Sequence, residues 1–285
     1  MYVVLGATGH TGSVVAQTLL ERKQPVRVVV RSADKGAEWR AKGAEVSVAS
    51  YDDQAALKRA LQGARGVYLI VAPNYTAQPW LDAQRRAMDH AASAVRAIGN
   101  PHVVFLSSIG AHLPEGTGPI QAVRYGEQVL GAATSDFTAI RPAYFVENWA
   151  PVLGTAKAHG ILPTFIAPAA KVPMISTRDI GHVGAERLMA GGAGHETVEL
   201  SGPELYSPDD VARALSQLLE RPVSTQPAPL SAVVPTFKSF GFSDDAAKLF
   251  EDMYTAFSKG AIGYEHADRV VRGRVPLAEA LKLLL

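Results

Sequence analysis

Three glycines at the spacing G-x-x-G-x-x-G, Gly6, Gly9 and Gly12, stand between an apolar run, Tyr2-Val3-Val4-Leu5, and the helical pattern from Ser13 to Leu20. A turn of this composition lets backbone N–H groups approach a pyrophosphate. Side chains beyond Cα would block that approach, and the N-terminus of the following helix adds partial positive charge for the phosphates. Gly6, Thr8, Gly9, His10, Thr11 and Gly12 are therefore expected to touch a dinucleotide, with His10 covering the pyrophosphate or facing solvent. At the end of the next apolar run, Val26 to Val30, an acidic residue would hydrogen-bond the ribose 2′-hydroxyl of NAD. This chain has Arg31 there, with Lys35 one helical turn beyond Ser32. Both can pair with a 2′-phosphate that a carboxylate would repel, which predicts NADP(H) in preference to NAD(H). The plain alternative is a solvated basic loop.

The elements that must carry this turn alternate between strand and helix through the first half, the pattern of a parallel sheet covered by helices. Residues 45–49, 66–71, 103–106 and 137–141 read as further strands, and 54–62, 77–98 and 120–133 as helices. Six strands in this order predict a doubly wound Rossmann sheet over residues 1–150. From Pro151 the elements shorten and strict alternation is lost, so 151–285 is expected to form a smaller, mostly helical lobe that closes over the cofactor. Ser207-Pro208-Asp209-Asp210 starts a helix there, with Pro in its first turn.

Ligands of such sheets lie beyond the carboxyl ends of the strands. That places Asp52, Ala72, Pro73, Ser107, Pro142, Tyr144 and Phe145 on the cofactor. Asp52 accepts a hydrogen bond from the adenine amino group, or else Asp52 or Asp53 caps the helix from Gln54. Tyr75, Trp80, Phe145 and Trp149 offer flat faces for an acceptor, although each alone is an ordinary core residue. Ser108 and Tyr125 are the candidate catalytic side chains. Ser107 and Ser108 also fit simple backbone caps.

Lys plus Arg number 28 and Asp plus Glu 27, a balance that gives no reason to expect nucleic acid or an anionic membrane as partner. A small-molecule electron acceptor fits better. There is no cysteine, which excludes disulfides and thiolate chemistry, and the histidines show no ligand spacing for a metal. The start of the chain enters a strand at once, and a cytoplasmic protein is expected.

The glycine turn, the Arg31 strand end, Val104-Phe105-Leu106-Ser107-Ser108-Ile109-Gly110-Ala111 and Ile140-Arg141-Pro142-Ala143-Tyr144-Phe145-Val146-Glu147-Asn148 resemble the NmrA-like group of atypical short-chain dehydrogenases/reductases. Val172 to Ile180 and Leu200 to Glu204 fit the same group. Within it the chain looks most like bacterial NAD(P)H quinone and triphenylmethane-dye reductases. The resemblance implies a Rossmann domain, NADP(H) and an acceptor cleft against the C-terminal lobe. The short-chain dehydrogenase pair of Tyr and, four residues later, Lys is incomplete, because Val129 follows Tyr125 at that spacing. The Lys that NmrA-like proteins often place four residues before a helical Glu is also missing, since Val123 precedes Glu127. A phenol without such a Lys is a poor proton-transfer group for an alcohol at neutral pH. Hydride transfer to a quinone-like or other flat conjugated acceptor makes weaker demands. The other reading is a non-catalytic, NADP-binding redox sensor; an isoflavone-type reductase would want the missing Lys.

Overall fold

The computed structural model describes residues 1–192 and 194–285. The first half runs β1 (Tyr2–Leu5), α1 (His10–Glu21), β2 (Val26–Val30), α2 (Ala37–Ala41), β3 (Glu45–Val48), α3 (Gln54–Leu61), β4 (Gly66–Leu69), α4 (Trp80–Ala97), β5 (His102–Leu106), α5 (Ile120–Gly131) and β6 (Phe137–Pro142). The second half adds β7 (Tyr144–Phe145), α6 (Leu153–His159), β8 (Ile161–Thr164), β9 (Val172–Ile175), α7 (Thr177–Ala190), β10 (His195–Ser201), β11 (Leu205–Tyr206) and α8 (Pro208–Leu218). It ends with β12 (Ser224–Pro227), α9 (Val233–Ser239), α10 (Asp244–Ser258), β13 (Val271–Arg272) and α11 (Leu277–Lys282).

Eight strands form one sheet in the order β13-β10-β6-β5-β4-β1-β2-β3, with all neighbours parallel. The six strands expected from the sequence are there in Rossmann order. β1, β4 and β5 are buried along their whole length, as continuous apolar strands covered on both faces must be. One face packs under α3, α4 and α5, including Leu57, Met88 and Leu130; the other packs under α1 and α7, including Val15, Leu19 and Leu188.

α7 and β10 lie in the second half of the sequence yet complete this layer. A Cβ on Gly181 would stand 2.4 Å from the Val14 Cβ, and one on Gly184 2.9 Å from the Tyr68 ring, so the two glycines let α7 press against α1 and β4. β10 then pairs with β6 from His195↔Phe137 to Leu200↔Pro142. β13 adds the edge strand beside β10, and the other elements after residue 150 form the second lobe, with its own apolar cluster around Trp149, Leu153, Leu162, Leu215 and Leu281. Two small sheets, β11-β9-β7 and β12-β8, run through it. Ser207 starts α8 as the sequence suggests: its side chain accepts from the Asp210 N–H, while the Asp210 carboxylate accepts from Ser207, a closed capping box. Among the described residues no helix is long and apolar enough to cross a membrane.

Candidate functional site

The glycine turn joins β1 to α1. Gly6 has φ +72°, a left-handed conformation, and a Cβ there would also meet the Ile70 side chain at 2.4 Å. A Cβ on Gly12 would lie 2.3 Å from the Gly6 carbonyl oxygen, so helix and turn touch backbone to backbone. Gly9 donates to that same oxygen at 2.9 Å and serves as N-cap of α1. No side chain caps α1 and its first turn holds no acidic residue, which leaves its first N–H groups for an anion. Thr8, Gly9 and His10 are exposed at this end. Thr11 is not: it is 3% exposed, buried beneath the turn toward Tyr68, because its helical position faces the sheet.

Arg31 and Lys35 are both exposed beyond β2, and neither pairs with an acid among the described residues. Lys35 lines a groove of about 900 Å³ together with Thr8, Ser13 and Trp39. The cap of α3 is Asp53, which accepts from Ala56 N at 2.8 Å; Asp52 is left exposed beside it. Ala72 and Pro73 are exposed past β4. Pro142 is buried at the end of β6, where its carbonyl accepts from Ile109 N at 2.9 Å, and it lines neither cavity described below.

Two neighbouring hollows open at the carboxyl ends of the strands. The smaller, about 250 Å³, is walled by Pro73, Trp80, Ser107, Ser108, Val123 and their neighbours. The larger, about 670 Å³, lies between the strand ends and the second lobe and includes Trp149, Phe165, Phe237, Phe242 and Tyr254. Tyr75, Tyr144, Phe145, Asn148, Phe250 and Met253 line both, so these six residues are the wall the two hollows share. Tyr75 stacks on Phe242 at 4.1 Å, and Phe237 on Phe250 at 4.6 Å. Burial pushes the Tyr75 phenol up to about 12 and raises Tyr144 well above its ordinary value, with the Tyr254 hydroxyl adding to the second shift. Both remain neutral hydrogen-bond donors at neutral pH.

Tyr125 does not reach this site. Its hydroxyl donates to Asp89 at 2.7 Å on the outer side of α4 and α5, and it lines neither hollow. That bond to a carboxylate pushes the phenol up. The helical register decides the matter: Val123, two residues earlier, takes the inward place and makes the wall apolar there.

Behind the wall lies an ionic chain that the sequence reading missed. Ser107 Oγ donates to Glu127 at 2.5 Å, Glu127 receives two bonds from Arg141 at 2.8 and 2.7 Å, and Arg141 donates to Glu265 at 2.5 Å. Burial alone would lower the Arg141 guanidinium, but the two carboxylates more than offset it and hold the charge in place. Glu199, buried in β10, accepts from the N–H groups of Glu265 and His266 at 2.8 and 2.7 Å. The only signal in the sequence was a charged residue, Arg141, inside an otherwise apolar strand. Both serines line the smaller hollow, but the Ser107 hydroxyl is committed to Glu127, whereas the Ser108 Oγ donates only to the Ile109 carbonyl at 3.0 Å. Phe165 and Thr236 are further cleft residues that sequence reasoning did not single out; they come to the cleft only through the packing of the second lobe.

The NAD(P)H-binding family matches residues 6–188. An NAD(P)H azoreductase of Xenophilus azovorans is 27% identical over 259 residues, covering 89% of this chain and 86% of its own length. A (4-alkanoyl-5-oxo-2,5-dihydrofuran-3-yl)methyl phosphate reductase of Streptomyces griseus is 33% identical, covering 78% of this chain and 75% of its own. The crystal structure of an NADPH-dependent quinone oxidoreductase from Escherichia coli, in complex with NADPH, superposes with a TM-score of 0.82 at 23% identity, over 100% of this chain and 99% of that one.

Proposed function

The chain belongs to the NAD(P)H-binding family, and on that premise we propose that it is an NADPH-dependent reductase of quinone-like, azo or other flat conjugated acceptors. Three features suit the coenzyme: the backbone-to-backbone contact between turn and helix that Gly12 permits, the uncapped end of α1, and beyond β2 the two cations Arg31 and Lys35, which have no acidic partner among the described residues. When bound, NADPH supplies the hydride. The residues that would hold it are Gly6, Thr8, Gly9, His10 and Gly12 at the pyrophosphate, Arg31 and Lys35 at the 2′-phosphate, and the strand-end residues Asp52, Ala72, Pro73 and Ser107 beyond.

The single observation that carries the reading is the shared wall of six residues between a small strand-end hollow and a large ring-lined cleft. Such an arrangement brings two flat molecules together while excluding water, and proximity is most of what hydride transfer asks of a protein. Tyr75, Phe145, Phe242 and Phe250 stack the acceptor. Tyr144 and Asn148 offer hydrogen bonds to an acceptor oxygen or nitrogen as charge builds there. None of these six residues is a carboxylic acid, imidazole or ammonium, so the proton that completes the reduction is taken from bulk water as the product leaves the cleft. Two of the three relatives support this class, one named for azo and one for quinone reduction, and the third is named for reduction of a conjugated furanone phosphate.

The test is loss of NADPH absorbance with a panel of quinones and azo and triarylmethane dyes. Turnover with at least one neutral quinone is expected. Tight NADPH binding with no acceptor reduced would instead favour the redox-sensor reading.

A further inference from the structure

The ring-lined cleft contains no cation. Among the described residues that line it, the ionisable groups are His10, Glu147 and the three tyrosines Tyr75, Tyr144 and Tyr254. The phenols are buried and raised, so they contribute dipoles and no charge. His10 belongs to the glycine turn, next to the expected pyrophosphate. Glu147 Oε1 accepts from Thr177 N at 2.9 Å and Thr177 Oγ1 at 2.7 Å at the start of α7, while its Oε2 is buried without a partner. The lysines of the covering helices are committed elsewhere: Lys238 pairs with Asp244 at 2.7 Å, and Lys248 with Glu251, both on exposed surface.

Apart from His10 at the glycine turn, no residue of this wall can carry a positive charge, so an anion meets only neutral hydrogen-bond donors, and one carboxylate stands against it. An anion enclosed here would lose its hydration without gaining an ion pair, a cost that neutral acceptors do not meet. A delocalised cation would find the faces of Phe237, Phe242 and Phe250 and the field of Glu147. We propose that this cleft selects acceptors by charge, admitting neutral and cationic conjugated molecules and rejecting compact anionic ones such as sulfonated quinones. The proposal rests on the reductase reading and narrows its substrate class.

The experiment compares naphthoquinone with its ring sulfonate, a pair that differs by one charge beside the reacting ring. The Michaelis constant of the sulfonate is expected to exceed that of the parent quinone by about tenfold or more. Thr236, half-buried on α9, lines the cleft, so Thr236→Lys adds the missing cation. It is expected to shrink the sulfonate-to-parent ratio by about threefold or more, whatever it does to either constant alone. Comparing this ratio between the two proteins cancels the difference in reduction potential between the acceptors. Equal constants in the parent protein, or a ratio that Thr236→Lys leaves unchanged, overturns the charge rule. Binding measured by quenching of tryptophan fluorescence, Trp149 lining the cleft, reads the same ratio without turnover. A protein that binds naphthoquinone over its sulfonate but reduces neither would keep the rule and sink the reductase reading.

Discussion

A methyl group added at Gly12 would sit 2.3 Å from the Gly6 carbonyl oxygen and 2.6 Å from the carbon that bears it. Both are backbone atoms, and the oxygen is already held by the Gly9 N–H at 2.9 Å, so no side-chain rotation relieves the contact. The start of α1 must move outward by on the order of 1 Å to restore van der Waals distance. Overpacking of this kind costs about 3 kcal/mol, which lowers the melting temperature of the apoprotein by roughly 6–12 °C. The same displacement draws the first N–H groups of α1 away from the pyrophosphate. Charge-assisted bonds of about 1.5–3 kcal/mol each are at stake, so the dissociation constant for NADPH should rise by roughly 10–100-fold. A methyl at Gly9 meets only the Gly6 oxygen, at 3.4 Å, and the backbone there is extended, at φ −102° and ψ 175°. Gly9→Ala should therefore cost the apoprotein less than about 1 kcal/mol, the scale of a weakened N-cap. Thermal melts of both apoproteins and fluorescence titrations with NADPH make the comparison. The reasoning fails if Gly12→Ala melts with the parent, or if Gly9→Ala destabilises the apoprotein as much.

Arg31→Asp should weaken NADPH by about 100-fold while leaving NADH no weaker, because an exposed, unpaired cation is replaced by a charge that repels the 2′-phosphate; parallel titrations with the two coenzymes decide it, and unchanged affinities would move the phosphate elsewhere. Tyr125→Phe should keep kcat/KM within about twofold, since its hydroxyl is bound to Asp89 outside the cleft; a loss beyond about tenfold in steady-state assays would return this phenol to the chemistry. Asp210→Asn should lower the melting temperature at pH 7, with a gap that closes on acidification. Burial opposes ionisation of Asp210, but Lys171, Ser207 and Arg213 hold its carboxyl far below the ordinary range. A depressed carboxylate stabilises the fold above the unfolded value of about 3.9 and loses that contribution as pH falls below it. Melts of the two proteins from pH 7 down to the acid limit test this, and a gap independent of pH would refute it.

Much of the cofactor side was legible because it depends on neighbours in sequence. A strand, three glycines at fixed spacing and a helix are one local unit, and the residue closing the next strand follows by counting; hence the turn, Arg31 and the Rossmann order could all be read without coordinates. The capping box of Ser207 and Asp210 is local in the same way. Spacing could not say which face of a helix looks inward, and this is why Tyr125 was a candidate while Val123 stands on the wall. Nor could it show that β10 would cross back to pair with β6, because that depends on α7 fitting against α1 through Gly181 and Gly184. Phe250, Met253, Tyr254 and Phe257 repeat as any packed helix face would; only the meeting of α9, α10 and the Phe242 link between them with Tyr75 makes a cleft. The sequence thus determined where a dinucleotide can be gripped, since backbone geometry over a dozen residues suffices. The tertiary structure alone decided what can lie beside it, since the rings and the missing cation of that wall come from segments more than a hundred residues apart.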